Sequence, residues 1–109
     1  MGKGELFGNE LNSKALFFKV LGHPARLAIL QYLAKTNVCM TGDISDELPL
    51  SRTTVNQHLK ALKDAGLIQG SVDGVKVNYC LNPIKILEVK KITENLFKEL
   101  STSHNNFCT

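Results

Sequence analysis

The sequence has no apolar run that approaches the roughly 20 residues of a membrane-spanning helix. Its start, MGKGELFGNELNSK, has no continuous apolar stretch after the early charge, so it is not typical of a signal peptide. The three cysteines, Cys39, Cys80 and Cys108, form no CxxC pair and no disulfide framework. We therefore expect a soluble cytoplasmic protein without a membrane partner, in which the cysteines are thiols unless they serve as sensors.

Signals of catalysis are also missing. The sequence has no nucleophile–base pair in a glycine-rich turn, no phosphate-binding loop and no paired carboxylates in a plausible pocket. Ser51, His58 and Asp64 are the residue types of a hydrolytic triad, but their spacing places them on different faces of one helix. We predict that the protein is not an enzyme.

Length and charge are compatible with a small domain that has a polyanionic partner. The chain has 109 residues, of which 43% are hydrophobic, and 13 Lys and Arg stand against 10 Asp and Glu, for a net charge of +3. This predicts one domain over residues 1–100, with residues 101–109 as a flexible C-terminal tail. The mildly basic balance permits binding to nucleic acid without requiring it.

Hydrophobic periodicity and stop signals predict a mainly α fold with a small β-hairpin. Helices are expected at about residues 5–21, 24–35, 42–48, 51–65 and 83–100, with a short extended piece in residues 36–41. The hairpin is expected to have strands at 67–70 and 76–81 with its tip at 71–75. The short turn between the third and fourth helices predicts a winged helix-turn-helix with additional N- and C-terminal helices.

The helix that begins after Ser51 has an unusual polar face. Opposite its apolar stripe it carries hydrogen-bonding side chains rather than the mixture of Glu and Lys that a solvated face usually shows. In a helix-turn-helix the N-terminal part of the second helix enters the major groove, where Asn and Gln match the adenine edge and Arg matches guanine. With a lysine from the hairpin, the predicted DNA-binding residues are Ser51, Arg52, Thr53, Thr54, Asn56, Gln57, His58, Lys60 and Lys76.

Two alternatives to this interpretation stay open at this point. The polar face could simply be solvated, as it is in most amphipathic helices. His58 lies beside the apolar stripe, so a local hydrogen bond is an alternative to base contact for that residue.

Both terminal helices carry an apolar stripe. Phe7, Leu11, Ala15 and Phe18 share one face of the first helix, and the last helix has a stripe of Val89, Ile92, Leu96 and Leu100. These stripes favour dimerisation, because small domains with leftover apolar faces often complete their core in a dimer. An intramolecular core is the alternative that the sequence leaves open.

Three segments together resemble the ArsR/SmtB family of bacterial transcriptional repressors. They are VLGHPARLAILQYLA, GDISDELPLSRTTVNQHLKALKDAGLIQG and GVKVNYCLNP, and the resemblance covers roughly residues 17–100. It implies a homodimer built on the first and last helices. It also implies binding to an imperfect operator palindrome in double-stranded DNA and release when an inducer binds.

The inducer sites best known in that family are not matched here. The resemblance places the arsenic-binding Cys-x-Cys pair at Met40 and Gly42, or one residue earlier with Cys39 alone retained. The position of the sulfide-sensing cysteine is Gln31. The zinc-ligand positions correspond to Pro83, Lys85, Leu96 and Glu99, of which one could bind a metal.

One inducer site survives as a hypothesis. If the extended segment pairs with the last hairpin strand, Cys39 comes beside Cys80, and Cys108 with His104 could supply further ligands. Two thiols on adjacent strands could bind a soft metal or metalloid ion, or be oxidised. The alternative is that both cysteines are small buried residues without chemistry.

The sequence, with this resemblance, therefore predicts a sequence-specific DNA-binding repressor that acts as a homodimer; release by a thiol-reactive or metal(loid) inducer is a hypothesis, and the existence of an inducer stays open. The alternative function is a winged-helix protein-interaction module without DNA binding. Such a module would present an acidic or apolar face on its second helix, and this helix has neither.

Overall fold

The computed structural model describes residues 7–36, 40–41, 48–73 and 76–102. Within these ranges the elements follow the predicted order of a winged helix-turn-helix. They are α1 (Gly8–Leu21), α2 (Pro24–Thr36), β1 (Met40–Thr41), α3 (Arg52–Asp64), β2 (Ile68–Asp73), β3 (Lys76–Leu81) and α4 (Pro83–Ser101). The predicted short helix at 42–48 falls largely outside the described residues. None of the described helices is long and apolar enough to cross a membrane.

Side chains and prolines set the starts of three helices. Ser51 and Asn82 are extended N-cap residues whose side-chain oxygens accept hydrogen bonds from Thr54 N and Lys85 N, at 3.2 and 3.3 Å. Pro24 and Pro83 occupy the first helical position, where a missing N–H costs nothing. The cap at Ser51 confirms the predicted start of the fourth predicted helix, which is α3 here.

The end of α3 is a Schellman motif. Gly66 has φ +82°, and the N–H groups of Gly66 and Leu67 donate to the carbonyls of Lys63 and Leu62 at 2.9 and 3.0 Å. A left-handed residue here turns the chain directly from α3 into β2. Gly66 therefore sets the angle between α3 and the hairpin.

The three strands form one antiparallel sheet in the order β1-β3-β2. Met40 pairs with Tyr79 and Thr41 with Asn78, so the extended segment after α2 pairs with the last hairpin strand, as predicted. The hairpin, here called the wing (β2 and β3), is longer than expected. Its first strand continues to Asp73, which pairs with Lys76.

The core lies where α2, α3 and the wing meet. Its fully buried side chains come from all three elements, because each presents one apolar face to the same centre: Ile29, Val55, Leu62, Leu67 and Ile68. The buried stripe of Val55, Leu59 and Leu62 confirms the predicted orientation of α3. Its opposite face is therefore turned to solvent.

Candidate nucleic-acid interface

The outward face of α3 presents the predicted polar side chains together. All five are exposed: Arg52, Thr53, Asn56, Gln57 and Lys60. The last four lie opposite the buried stripe of the same helix, whereas Arg52 lies at its N-terminal rim. In the part of the chain that the structure describes, the side chains of Thr53, Asn56 and Gln57 make no hydrogen bond. Their donors and acceptors are available to base edges, which is what direct readout requires.

The side chain of Ser51 caps the N-terminal end of α3. Ser51 Oγ accepts from Thr54 N and donates to Thr54 Oγ1 at 2.9 Å, and Thr54 is half-buried. These two predicted contacts are thus engaged in capping the helix. The capped start keeps the helix rigid at the end that would enter a groove.

Lys60 has a partner on its own helix. Its Nζ lies 3.0 Å from Asp64 Oδ2, and both side chains are more than 60% exposed, at 76% and 64%. An exposed pair of this kind contributes little stability and separates readily when a phosphate competes. Lys60 is therefore available to a DNA backbone despite the ion pair.

The wing packs directly on α3. The Lys63 side chain lies over Gly70 of β2, where an added Cβ would come 3.5 Å from Lys63 Nζ and 3.4 Å from Tyr79 Cε1. These are ordinary van der Waals distances, so the packing of the wing on α3 does not require glycine at this position. Lys76 is the first residue of β3, and of this residue the structure describes the backbone alone.

His58 is directed away from the exposed face. Its side chain is 9% exposed, and its Nδ1 accepts a hydrogen bond of 3.2 Å from Arg26 Nε. Its ring also contacts His23, with ring centroids 4.2 Å apart and an interplanar angle of 49°. Burial, followed by the charges of His23 and Arg26, lowers the pKa of His58 below its ordinary value of 6.5.

Sequence reasoning missed the two partners of His58. Arg26 precedes it by 32 residues, so the hydrogen bond is long-range rather than the local one considered for His58. Both partners lie at the start of α2, since His23 directly precedes the helix and Arg26 is its third residue. The position of His58 beside the apolar stripe of α3 indicates burial, and a buried imidazole usually has a hydrogen-bond partner, which can come from a distant part of the chain.

The residues of the apparent hydrolytic triad are engaged separately. Ser51 caps α3, His58 binds Arg26, and Asp64 pairs with Lys60. No arrangement of a nucleophile and a base arises among these three residues.

Cys80 of β3 is disulfide-bonded, and its partner cysteine lies outside the described residues, as do both Cys39 and Cys108. Among the described residues, no group of three or more His, Cys, Asp and Glu side chains could hold a metal ion. The predicted thiol site, with His104, falls mostly in undescribed parts and stays a prediction.

Comparison with known proteins shows similarity to helix-turn-helix transcriptional regulators. A family model described as a helix-turn-helix domain matches residues 21–70. The chain is 33% identical over 82 residues to an HTH-type transcriptional regulator of Methanocaldococcus jannaschii, covering 75% of this chain and 92% of that protein. It is also 33% identical over 97 residues to the cadmium resistance transcriptional regulatory protein CadC of Listeria innocua, covering 89% of this chain and 81% of CadC.

Solved structures support the fold. The fold is similar to that of an ArsR-like transcriptional regulator from a Rhodococcus species, with a TM-score of 0.70 at 22% identity, covering 84% of this chain and 86% of that one. It is also similar to reduced HlyU from Vibrio cholerae, with a TM-score of 0.61 at 28% identity, covering 92% of this chain and 95% of that one. The predicted winged helix-turn-helix fold is confirmed.

Proposed function

The chain belongs to the ArsR/SmtB family of DNA-binding transcriptional regulators, and from this premise we propose that it represses transcription by binding an operator palindrome as a homodimer in the cytoplasm. The exposed polar face of α3 is the observation that carries the proposal. It combines amide, hydroxyl and cationic groups on one rigid helix whose other face is fixed in the core.

The roles of the residues follow from their chemistry. Asn56 and Gln57 each offer a donor and an acceptor, so they read base edges, and Arg52 reads guanine or binds phosphate. Lys60 and, from the wing, Lys76 bind backbone phosphates, which positions the helix without selecting a sequence. His58 is left out of the contact surface, because its burial directs its ring toward Arg26.

The homodimer is supported by apolar side chains that one protomer leaves uncovered. α1 and α4 enclose a groove of about 480 Å³ whose lining includes Leu11, Ala15, Phe18, Ile92 and Leu96. Leu11 is 55% exposed and Leu96 is 37% exposed. Phe7, Phe97 and Leu100 are exposed as well, whereas helical spacing places the exposed Leu16 and Leu87 on other faces of α1 and α4. Exposed apolar patches of this kind usually mark protein interfaces.

A second copy of the chain is the occupant that fits this groove. Its rim carries both charges, since Glu10 and Glu99 accompany Lys14. Lys14 pairs with Glu10 of the same helix at 3.2 Å, and this exposed pair exchanges partners at little cost when a two-fold axis places Lys14 against an acidic group of the other protomer. The buried stripe of α1 consists of Phe17 and Val20, so the predicted stripe from Phe7 to Phe18 is available for this contact.

The test of the function is selection of bound sites from random duplex DNA, followed by affinity measurements at two salt concentrations. We expect an enriched palindrome, and affinity that falls at least about 100-fold between roughly 50 and 200 mM salt, because several phosphate contacts release counterions. Failure to enrich any sequence, with no salt-dependent binding, would instead favour the protein-interaction module.

We further propose that the redox state of Cys80 regulates DNA binding. Disulfides in cytoplasmic proteins are usually transient or redox-sensing, and Cys80 lies on the strand of the wing that pairs with both neighbours. A dithiol such as dithiothreitol would reduce the disulfide to two thiols and become a cyclic disulfide itself. The thiols released could then bind a soft ion such as Cd²⁺.

Operator affinity of oxidised protein, reduced protein and reduced protein with Cd²⁺ tests this regulation. Cys39→Ser and Cys108→Ser identify the partner, since the variant that lacks it retains a free Cys80 thiol without reduction. We expect Cys80→Ser to bind DNA equally in all three conditions. Unchanged affinity of the wild type across them would exclude a thiol sensor.

A further inference from the structure

Arg26 joins three elements at the back of the recognition helix. Its Nε donates to His58 Nδ1 of α3 at 3.2 Å, and its Nη1 donates to the carbonyl oxygen of Val20 in α1 at 3.2 Å. Arg26 itself belongs to α2. A single guanidinium therefore connects α1, which lines the proposed dimer groove, to α3, which carries the proposed DNA surface.

The ring of His23 completes this cluster. It lies between α1 and α2, its Nδ1 accepts a hydrogen bond of 3.1 Å from Ala25 N, and its ring is 4.2 Å from that of His58. The charged or titratable groups that face His58 from the described elements are thus His23 and Arg26, and both are basic. No carboxylate pairs with His23, Arg26 or His58 in the described ranges.

The contact with Arg26 requires a neutral His58. An arginine is always protonated and has no acceptor, so it can only donate to the lone pair on Nδ1. A protonated imidazole carries N–H groups on both nitrogens and has no lone pair to offer. Protonation would therefore break the hydrogen bond and place a new positive charge beside Arg26 and His23.

We propose that the Arg26–His58 contact is a proton-sensitive link that positions α3 for DNA, so that acidification weakens operator binding. The proposal rests on the proposed function and adds a regulation that the family comparison does not supply. His58 directly follows Gln57 on the same helix, so a displacement of His58 moves the reading surface. Binding surfaces depend on supporting hydrogen bonds of this kind to hold their geometry.

The direction in which DNA affinity changes on acidification distinguishes this link from the titration of surface histidines. Added positive charge on any surface histidine would strengthen attraction to DNA phosphates as the pH falls. Loss of the Arg26–His58 contact does the opposite. Linkage allows a change of up to about tenfold in affinity per pH unit for each protomer while His58 takes up its proton.

The experiment measures operator affinity from about pH 7.5 to about pH 5.5 at constant ionic strength. We expect the wild-type affinity to fall as the pH drops below about 6.5, by up to about tenfold per pH unit for each protomer. His58→Gln keeps an acceptor for Arg26 that cannot be protonated, so its affinity should resemble the wild type at the higher pH and stay there. His23→Gln removes one repelling charge, so the midpoint of the fall should move to higher pH.

A readout without DNA separates failure of this link from failure of the proposed function. Nuclear magnetic resonance follows the His58 imidazole and the α3 backbone amides over the same pH range. We expect the α3 amides to shift together with His58 in the wild type and to stay constant in His58→Gln. Each of three results would overturn the proposal. Operator affinity could rise on acidification, it could fall in His58→Gln as in the wild type, or the α3 amide shifts could stay constant while His58 titrates in the wild type.

Discussion

Leu11 offers a direct test of the proposed dimer. Its side chain is 55% exposed in one protomer and lines the groove between α1 and α4. Full burial of a leucine contributes about 1.5–3 kcal/mol, so covering the exposed half contributes roughly 1 kcal/mol. A two-fold interface contains the residue twice, so Leu11→Ala should weaken the dimer by about 2 kcal/mol, or roughly 30-fold in dissociation constant.

Analytical ultracentrifugation at a series of protein concentrations measures this constant. Leu27→Ala is the matched control, because Leu27 is 47% exposed but lies on α2 outside the groove. It should change the dissociation constant less than about twofold, since it removes a similar exposed area from a surface that stays uncovered. Equal effects of the two substitutions, or no effect of Leu11→Ala, would refute the assignment of the groove to a second copy.

Three further predictions concern the stability of the fold, each measured as the free energy of unfolding in urea. Ser51→Ala should cost about 1 kcal/mol because it removes the acceptor for Thr54 N, and Ser51→Asp should retain most of that stability. Gly66→Ala should cost about 1–2 kcal/mol because φ is +82° there, and Gly66→Asn should cost less; equal losses would count against backbone strain. The wild-type free energy of unfolding should fall as the pH is lowered below about 6.5, because the unfolded chain protonates His58 first, and this component should vanish in His58→Gln.

Local features of α3 could be predicted from the sequence. Ser51 as a cap and Gly66 as a stop act within a few residues of the helix ends, so their chemistry is visible in the sequence. The apolar stripe of Val55, Leu59 and Leu62 likewise follows from helical spacing alone. These three signals were sufficient to place the polar face of α3 outward.

The wing was predicted with the correct return strand but too short a first strand. β3 covers the predicted residues 76–81, whereas β2 extends from Ile68 to Asp73 instead of ending at Gly70. Pairing with β3 draws Ser71 to Asp73 into the ladder, opposite Asn78 to Lys76. Strand ends depend on such partners, which a sequence pattern does not contain.

The buried face of α1 and the role of His58 could not be predicted from the sequence, because both depend on contacts between residues far apart in the chain. Periodicity groups Phe7, Leu11 and Phe18 on one face of α1, but it does not say which neighbour covers a face. The structure buries Phe17 and Val20 in the protomer instead. The role of His58 depended in the same way on Arg26, which no local pattern connects to it.

The central claim is that the outward face of α3 reads base sequence, whereas the wing binds backbone. Its most direct test compares Gln57→Ala and Lys76→Ala on the selected operator and on scrambled duplexes of the same length. Gln57→Ala should cost about 1–3 kcal/mol on the operator alone and relax base preference, whereas Lys76→Ala should weaken binding to all duplexes alike and lower the salt dependence. Equal losses from both variants on operator and scrambled DNA would contradict the claim.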